Sequence, residues 1–528
     1  MGGEPQTSVE RPDLRASQAA PGEPPTKASG YAYYALFLLI VTNAFNYVDR
    51  NILSILAQSV KQDLGLTDAQ LGFLLGTAFA VLYSVTGIAI GRIADALSRT
   101  VVLTVGLTVW SAMTALSGFA VNFATLAAAR ICVGVGEATS NPCSHSLVCD
   151  YFPPRNRSAA LGAYLISTYL GGAASLVIGA LLLRTWPTLC EVFPGDACRL
   201  PAWRAAFLAV GLPGLILAVL IAFLRSPPRA APASAQTPLR VILQEASAAL
   251  PPFILFNLRQ VGGWRAVATN LVLAAGVLIV AAGLSLATGD WAQWVALALG
   301  AYSVLSWRQI IKMRDRPLHD RTFGSATFML VMIGGALTAC FTASVLTWSA
   351  PYAIRTLHSP AEQVGLYLGA ASAVAAGASV VLGGFVADHW KRRDIRAPIW
   401  IGVIAVLAPI PFLALMLLAK DLPSFLAAYV GFSLTGMSWA GAFAALAQDL
   451  VLPRMRATTS SLFSLVMVLI SAGLGPYWAG KISTLTGSLA IGLMSLVVLA
   501  PVATALLLMA AKRLPGEMAA LRAAEGPA

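Results

Sequence analysis

The chain has 528 residues, of which 58% are hydrophobic and only 11% charged, against about 25% charged in an ordinary soluble protein. That excludes a water-soluble globular protein, because too little charge is present to cover a hydrated surface of this size. A net charge of +12 would suit nucleic acid if it were clustered, but Lys and Arg fall in short loops between apolar runs, so no nucleic-acid partner is expected.

In chain order, residues 1–30 mix Pro, Gly, Ser and Thr with charges of both signs, which predicts a disordered cytoplasmic tail without signal-peptide character. Apolar segments then follow, each about 20 residues or longer and so able to cross a bilayer. They lie near 31–58, 69–91, 100–121, 123–149, 158–183, 203–224, 266–288, 291–312, 323–350, 362–387, 397–419, 422–448, 457–482 and 488–511. Alternating these fourteen from an inner N-terminus puts most Lys and Arg on the inner side, which predicts both termini in the cytoplasm. The expected location is a bacterial inner membrane, crossed many times.

Two stretches recur. Gly91-Arg-Ile-Ala-Asp95-Ala-Leu-Ser-Arg99 returns as Gly384-Phe-Val-Ala-Asp388-His-Trp-Lys-Arg392, and Asp150-Tyr-Phe-Pro-Pro-Arg155-Asn-Arg157 returns as Asp449-Leu-Val-Leu-Pro-Arg454-Met-Arg456. Both pairs stand at matching places in the span order, which signals a duplicated six-span unit. The pattern Gly-x-x-x-Asp-x-x-x-Arg between the second and third spans of each half resembles the signature of the major facilitator superfamily, with Ser98 and Lys391 where that signature usually has Gly. The resemblance implies an all-α polytopic protein of the major facilitator fold, two six-helix pseudo-repeat bundles working by alternating access.

The expected organisation is a tail over 1–30, an N-terminal bundle over 31–224, a cytoplasmic linker over 225–265, an extra transmembrane hairpin over 266–312, a C-terminal bundle over 323–511 and a tail over 512–528. Weak alternation over Pro238–Leu258 suggests an amphipathic helix on the inner surface. The hairpin has a short outer turn and no cavity-grade polar residues, so a peripheral, lipid-packed role is expected.

Ionisable residues inside spans are costly and mark function. The first span holds Asn46, Tyr47, Asp49 and Arg50, and the fourth holds Arg130, Gly134, Gly136 and Glu137. Asn46, Asp49 and Arg50 share one helical face, Arg130 and Glu137 stand two turns apart on another, and both faces reach one depth. Asp49 and Glu137 are the expected proton-coupling groups, with Arg50, Arg130 and Asn46 as charge and headgroup partners. Asn-Tyr-x-Asp-Arg, Arg-x-x-x-Gly-x-Gly-Glu-Ala and Leu224-Arg-Ser-Pro-Pro-Arg229 together resemble the Spinster lipid carriers; related organic anion symporters share the first two motifs. The resemblance implies movement of lysophospholipids or sphingoid phosphates, with a small organic anion such as a sugar acid as the alternative.

In the second half, Thr338, Phe341, Thr342, Trp348, Tyr352, Thr435, Met437, Trp439 and Phe443 are the expected cavity surface, able with Tyr47 to take an amphiphile's tail. Gly91, Asp95, Arg99, Asp150, Arg155 and Arg157, with Asp388, Arg392, Asp449, Arg454 and Arg456, are expected to form an inner latch between the halves. His145 reads as a packing residue rather than a proton relay. Cys190 and Cys198 share an outer loop, bridged or not; six Cys and four His show no metal-site spacing and no nucleophile stands with a base. Neither metal, cofactor nor enzyme activity is expected, and the predicted partners are an amphipathic lipid-like substrate, protons and the bilayer, around a monomer.

Overall fold

The computed structural model describes residues 29–192, 195–225, 253–452 and 455–525. Residues 1–28, most of the segment 238–258 and Arg454 lie outside them. Among the described residues the regular structure is helical. The N-terminal half comprises α1 (Gly30–Leu64), α2 (Asp68–Gly72), a π-helical turn (Phe73–Thr77), α3 (Ala78–Ala96), α4 (Arg99–Ser117), α5 (Phe123–Glu137), α6 (Ser140–Tyr151), α7 (Pro154–Val192) and α8 (Ala202–Ala222). A hairpin of α9 (Ile254–Thr288) and α10 (Trp291–Arg314) follows, then the short α11 (Arg316–Arg321). The C-terminal half comprises α12 (Ala326–Thr356), α13 (Ala361–Lys391), α14 (Ala397–Leu407), α15 (Pro409–Leu418), α16 (Leu422–Gly436), α17 (Trp439–Asp449), α18 (Arg456–Thr486), α19 (Leu489–Ser495) and α20 (Leu499–Glu525).

Local chemistry explains the ends. Ser29 caps α1, which stops at Gly65 in the left-handed region, the usual glycine stop. The Asn122 and Thr125 side chains close a capping box at the start of α5. Twelve stretches of the described residues are long and apolar enough to cross a membrane. Two of the fourteen expected spans fall outside that set. The fourth breaks between Glu137 and Ser140, and α10 carries Gln293, Arg308, Gln309, Lys312 and Arg314. The twelfth, 422–448, which is the fourth span of the C-terminal half, breaks likewise between Gly436 and Trp439, so the duplication extends to its irregularities.

Within the N-half, α1 packs on α7, α4 on α8 and α3 on α5; within the C-half, α12 packs on α18 and α20. The halves meet where α7 crosses α13, where α2 and α3 run along α18, and where α1 approaches α12. Small residues set that approach: a Cβ on Gly72 or Gly76 would run into the backbone of Pro476 or Ala472 on α18. Within the N-half, a Cβ on Gly211 of α8 would strike the Ala115 backbone nitrogen of α4. Gly211→Ala should therefore destabilise the protein by about 1–3 kcal/mol, seen as a lower melting midpoint in detergent.

Three features differ from expectation. Gly263, at φ 65, kinks α9, so the span proper begins near residue 266 as expected, but a helical turn already precedes it from Ile254. The hairpin is not without buried polar groups: Asn270, fully buried, donates to Ser306 and Gln309 at 2.9 and 3.0 Å and accepts from the Tyr302 hydroxyl at 2.6 Å. The last helix runs on to Glu525, through what was expected to be a tail from 512. Cys190 and Cys198 form a disulfide with Cα atoms 5.4 Å apart.

Candidate functional site

The charged residues of the first and fourth spans do meet. Arg50 of α1 donates from Nη2 and Nε to Glu137 Oε2 at 2.9 and 3.2 Å. Glu137 is fully buried at the broken end of α5, while the Arg50 side chain keeps 22% exposure. Three rings surround the guanidinium: its central carbon lies 4.3 Å from the Phe79 centroid and 4.9 Å from those of Tyr47 and Tyr83. Aromatic faces attract a cation, so the box and the carboxylate together aim Arg50.

Arg130 makes its direct contacts with backbone. Its Nη1 and Nη2 donate to the backbone carbonyls of Asp49 and Arg50 at 3.0 and 3.2 Å, so it fastens α5 to α1 rather than neutralising a side chain through direct contact. Asp49, 1% exposed, forms no ion pair among the described residues, and its Oδ1 has no hydrogen-bond partner there. Of the two expected coupling carboxylates, Glu137 is ion-paired with an Arg side chain and Asp49, among the described residues, is not. Asn46 is buried beside them. Gly134 and Gly136 admit neighbouring helices: a Cβ there would stand 2.6 Å from the Phe79 carbonyl oxygen and 2.7 Å from the Trp110 nitrogen.

A polar track leaves this site. Asn141 Nδ2 donates to the Tyr83 hydroxyl at 3.2 Å, Asn43 Nδ2 donates to Ser167 at 2.8 Å, and the Tyr164 hydroxyl stands 3.0 Å from Asn43 Oδ1 and 3.4 Å from Asn141 Oδ1. His145, at an exposed position of α6, stands edge-on to Tyr164 at 5.2 Å. Phe79, Tyr83, Asn141 and Tyr164 escaped sequence reasoning; the four-residue spacing of Phe79 and Tyr83 was their one signal.

Six of the nine expected C-half cavity residues are core instead. Thr338, Phe341, Thr342, Trp348, Tyr352 and Phe443 are at most 2% exposed; Trp348 Nε1 donates to the Pro476 carbonyl and the Tyr352 hydroxyl to that of Leu417, both at 3.0 Å. Apolar residues pack between helices as readily as they line a cavity. Thr435, Met437 and Trp439 remain half-buried, as does Tyr47 in the N-half.

The expected latch residues pair within each half. Arg99 binds Asp150, and Lys391, not Arg392, binds Asp449 at 2.6 Å. Arg157 donates to the Cys149 carbonyl at 2.8 Å, while Arg155, Asp388, Arg392 and Arg456 are exposed. Gly91 has open space where a Cβ would stand. The Asp95 side chain and Arg454 lie outside the described residues.

A network that joins the halves stands at the opposite end, which charge distribution assigns to the outside. Asp68, 5% exposed, accepts from Lys61 at 2.6 Å, from Arg355 of α12 at 2.7 and 2.9 Å, and from Ser483 of α18 at 2.6 Å. Arg184 of α7 pairs with Glu362 of α13, and Ser54 donates to the Thr347 carbonyl at 2.5 Å. These contacts close that end of the bundle.

A family model described as Major Facilitator Superfamily matches residues 39–476. An MFS-type efflux pump of Mycolicibacterium smegmatis is 27% identical over 86% of this chain and 84% of its own length. A probable L-galactonate transporter of Escherichia coli is 29% identical, but the match spans 35% of this chain and 37% of that protein. In fold, the chain is similar to a bacterial homolog of the human lysosomal transporter Spinster, crystallised inward-facing and unoccupied, with a TM-score of 0.69, 22% identity, and 93% and 99% of the two chains covered.

Proposed function

The chain belongs to the major facilitator superfamily, and from that premise we propose that it is a proton-coupled carrier of lysophospholipid or sphingoid-phosphate-like amphiphiles. The observation that carries this reading is the asymmetry of the two halves. Within its spans the N-half presents a partly exposed guanidinium, Arg50, aimed by a carboxylate and three rings; it suits a phosphate head, which Arg binds through paired hydrogen bonds. The C-half offers Met437 and Trp439 to a tail. An arriving anion competes with Glu137 for Arg50, and a carboxyl group whose cation partner and hydration change between states takes up and releases a proton. Headgroup binding and protonation of Glu137 are thereby linked, with Asp49, which precedes Arg50 on α1, as the second coupling group.

The sugar-acid alternative has the L-galactonate relative in its favour. A polyol needs hydrogen bonds from both halves, however, and the C-half hydroxyls are committed: Thr338, Thr342 and Thr435 bond the carbonyls of Gly334, Thr338 and Gly431 four residues back, at 2.9, 3.0 and 2.8 Å.

The protein works as a monomer in a bacterial inner membrane, with both termini cytoplasmic. The Lys and Arg distribution supports that orientation, as does the disulfide between the last turns of α7 and the segment that follows it, since such bonds persist in oxidising compartments. The charge pairs of each half become an inner latch when the outer network parts. Proteoliposomes loaded with labelled lysophosphatidylcholine, sphingosine phosphate or galactonate test the substrate. Movement of a lysolipid or sphingoid phosphate, accelerated by a pH gradient, is expected; galactonate transport without either lipid overturns the proposal.

A further inference from the structure

The hairpin is not needed to complete either six-helix set, yet it is tied to both. Its second arm, α10, packs along α3 of the N-half and α18 of the C-half. Gln293, 1% exposed, stands where the three elements meet. Its Nε2 donates to the Gly473 carbonyl of α18 at 2.8 Å, and its Oε1 lies 2.7 Å from the Thr77 hydroxyl, which is also 2.6 Å from the Gly473 carbonyl. Thr77 has one proton, so it serves one of those acceptors at a time. It closes the π-helical turn of the second span, the kind of irregularity that recurs at functional sites. Pro476, one turn beyond Gly473, interrupts α18 at the same level.

Nearer its tip the hairpin bonds to the C-half. Asp290 pairs with Lys481 at 2.7 Å and accepts from the Tyr477 hydroxyl at 2.8 Å, and Trp294 meets the Tyr477 ring edge-on at 5.7 Å. Deeper, Leu297 and Val304 pack with Val81 and Val85 of α3 and Leu469 of α18. The first arm faces outward instead, with Val272, Ile279 and Leu286 at 72%, 71% and 89% exposure.

We propose that this hairpin is a strap that holds the outer side shut. Anchored on α18, it grips the N-half through Thr77, so the second span leaves α18 only by breaking a buried three-way junction. Buried polar atoms left unpaired are expensive, so the strap weights the balance toward the outer-closed state. The inference requires the halves to rock but no particular cargo, so it stands or falls apart from the lipid reading.

The test is a pair of spin labels on Val121→Cys and Leu485→Cys, outer positions 66% and 69% exposed on opposite halves, in full-length protein in nanodiscs with the cysteines outside the disulfide replaced by Ser. Gln293→Leu is expected to raise the ratio of long to short distances about fivefold, the weight of one net buried hydrogen bond. Asp290→Asn should move it less in the same direction, and adding Thr77→Val to Gln293→Leu should change little beyond either alone. A Gln293→Leu protein that melts earlier but keeps the wild-type distance distribution overturns the strap, leaving a scaffold. If that variant does not fold, Thr77→Val removes the grip with the hairpin intact, and an unchanged distribution there overturns it equally.

Discussion

Glu137→Gln should abolish the stimulation of transport by a pH gradient and also lower the stability of the protein, whereas Asp49→Asn should weaken coupling with the fold intact. The difference follows from what each carboxylate touches. Glu137 neutralises Arg50 through two hydrogen bonds at 2.9 and 3.2 Å, so its removal strands a cation among three rings. Breaking a buried pair in this way costs about 3–5 kcal/mol; on the order of 1–3 kcal/mol applies here, because Arg50 keeps 22% exposure and water screens it. Asp49 has no ion pair to lose among the described residues, so its replacement by an isosteric amide disturbs little packing. Uptake driven by an imposed gradient, exchange without one, and a melting curve for each variant separate the cases. Gradient-stimulated uptake at wild-type level in the double variant would falsify the coupling role of both groups. Arg50→Lys adds a check on the same box, since an ammonium cannot reproduce the planar donor fork or its stacking.

The charged groups Asp49, Arg50, Arg130 and Glu137 were legible in the sequence because membrane spans are so uniformly apolar that a charge within one announces itself, but which Arg pairs with which carboxylate was not. The duplicated halves were legible for a related reason: the loop charges fall at matching places, although the matching breaks within 123–149 and 422–448 came only from the structure. What stayed hidden depends on contacts between distant segments. Asp68 opens its helix after Thr67 like any acid in a first turn, and its partner Arg355 lies 287 residues away. Trp348 and Phe443 looked like cavity walls because nothing in an apolar span distinguishes the face turned to a cavity from the face turned to a neighbouring helix. Gln293 was passed over as one polar residue in a hairpin, and its meaning came only from Thr77 and Gly473 beside it.

Neutralising Asp68 should open the outer side. This carboxylate gathers Lys61, Arg355 and Ser483 around two oxygens, and two of those partners belong to the other half. Asp68→Asn removes the charge that holds Lys61 and Arg355 together and leaves two cations repelling each other across the seam. Both cations are partly exposed, at 29% and 25%, so the loss is about 2–3 kcal/mol rather than the full penalty of a buried pair. That shifts the outer-closed to outer-open ratio by roughly 30- to 150-fold, enough to invert a modest preference. Ser54, 7% exposed on α1 and bonded to the Thr347 carbonyl across the seam, reports the change: as Ser54→Cys it should be protected from a membrane-impermeant maleimide added outside and become reactive when Asp68→Asn is added. Arg355→Gln should expose it as well, because it removes the same bridge from the other side. Continued protection of Ser54→Cys in both backgrounds would mean that close packing of Gly72 and Gly76 against α18, rather than the charge network, keeps the outer side closed.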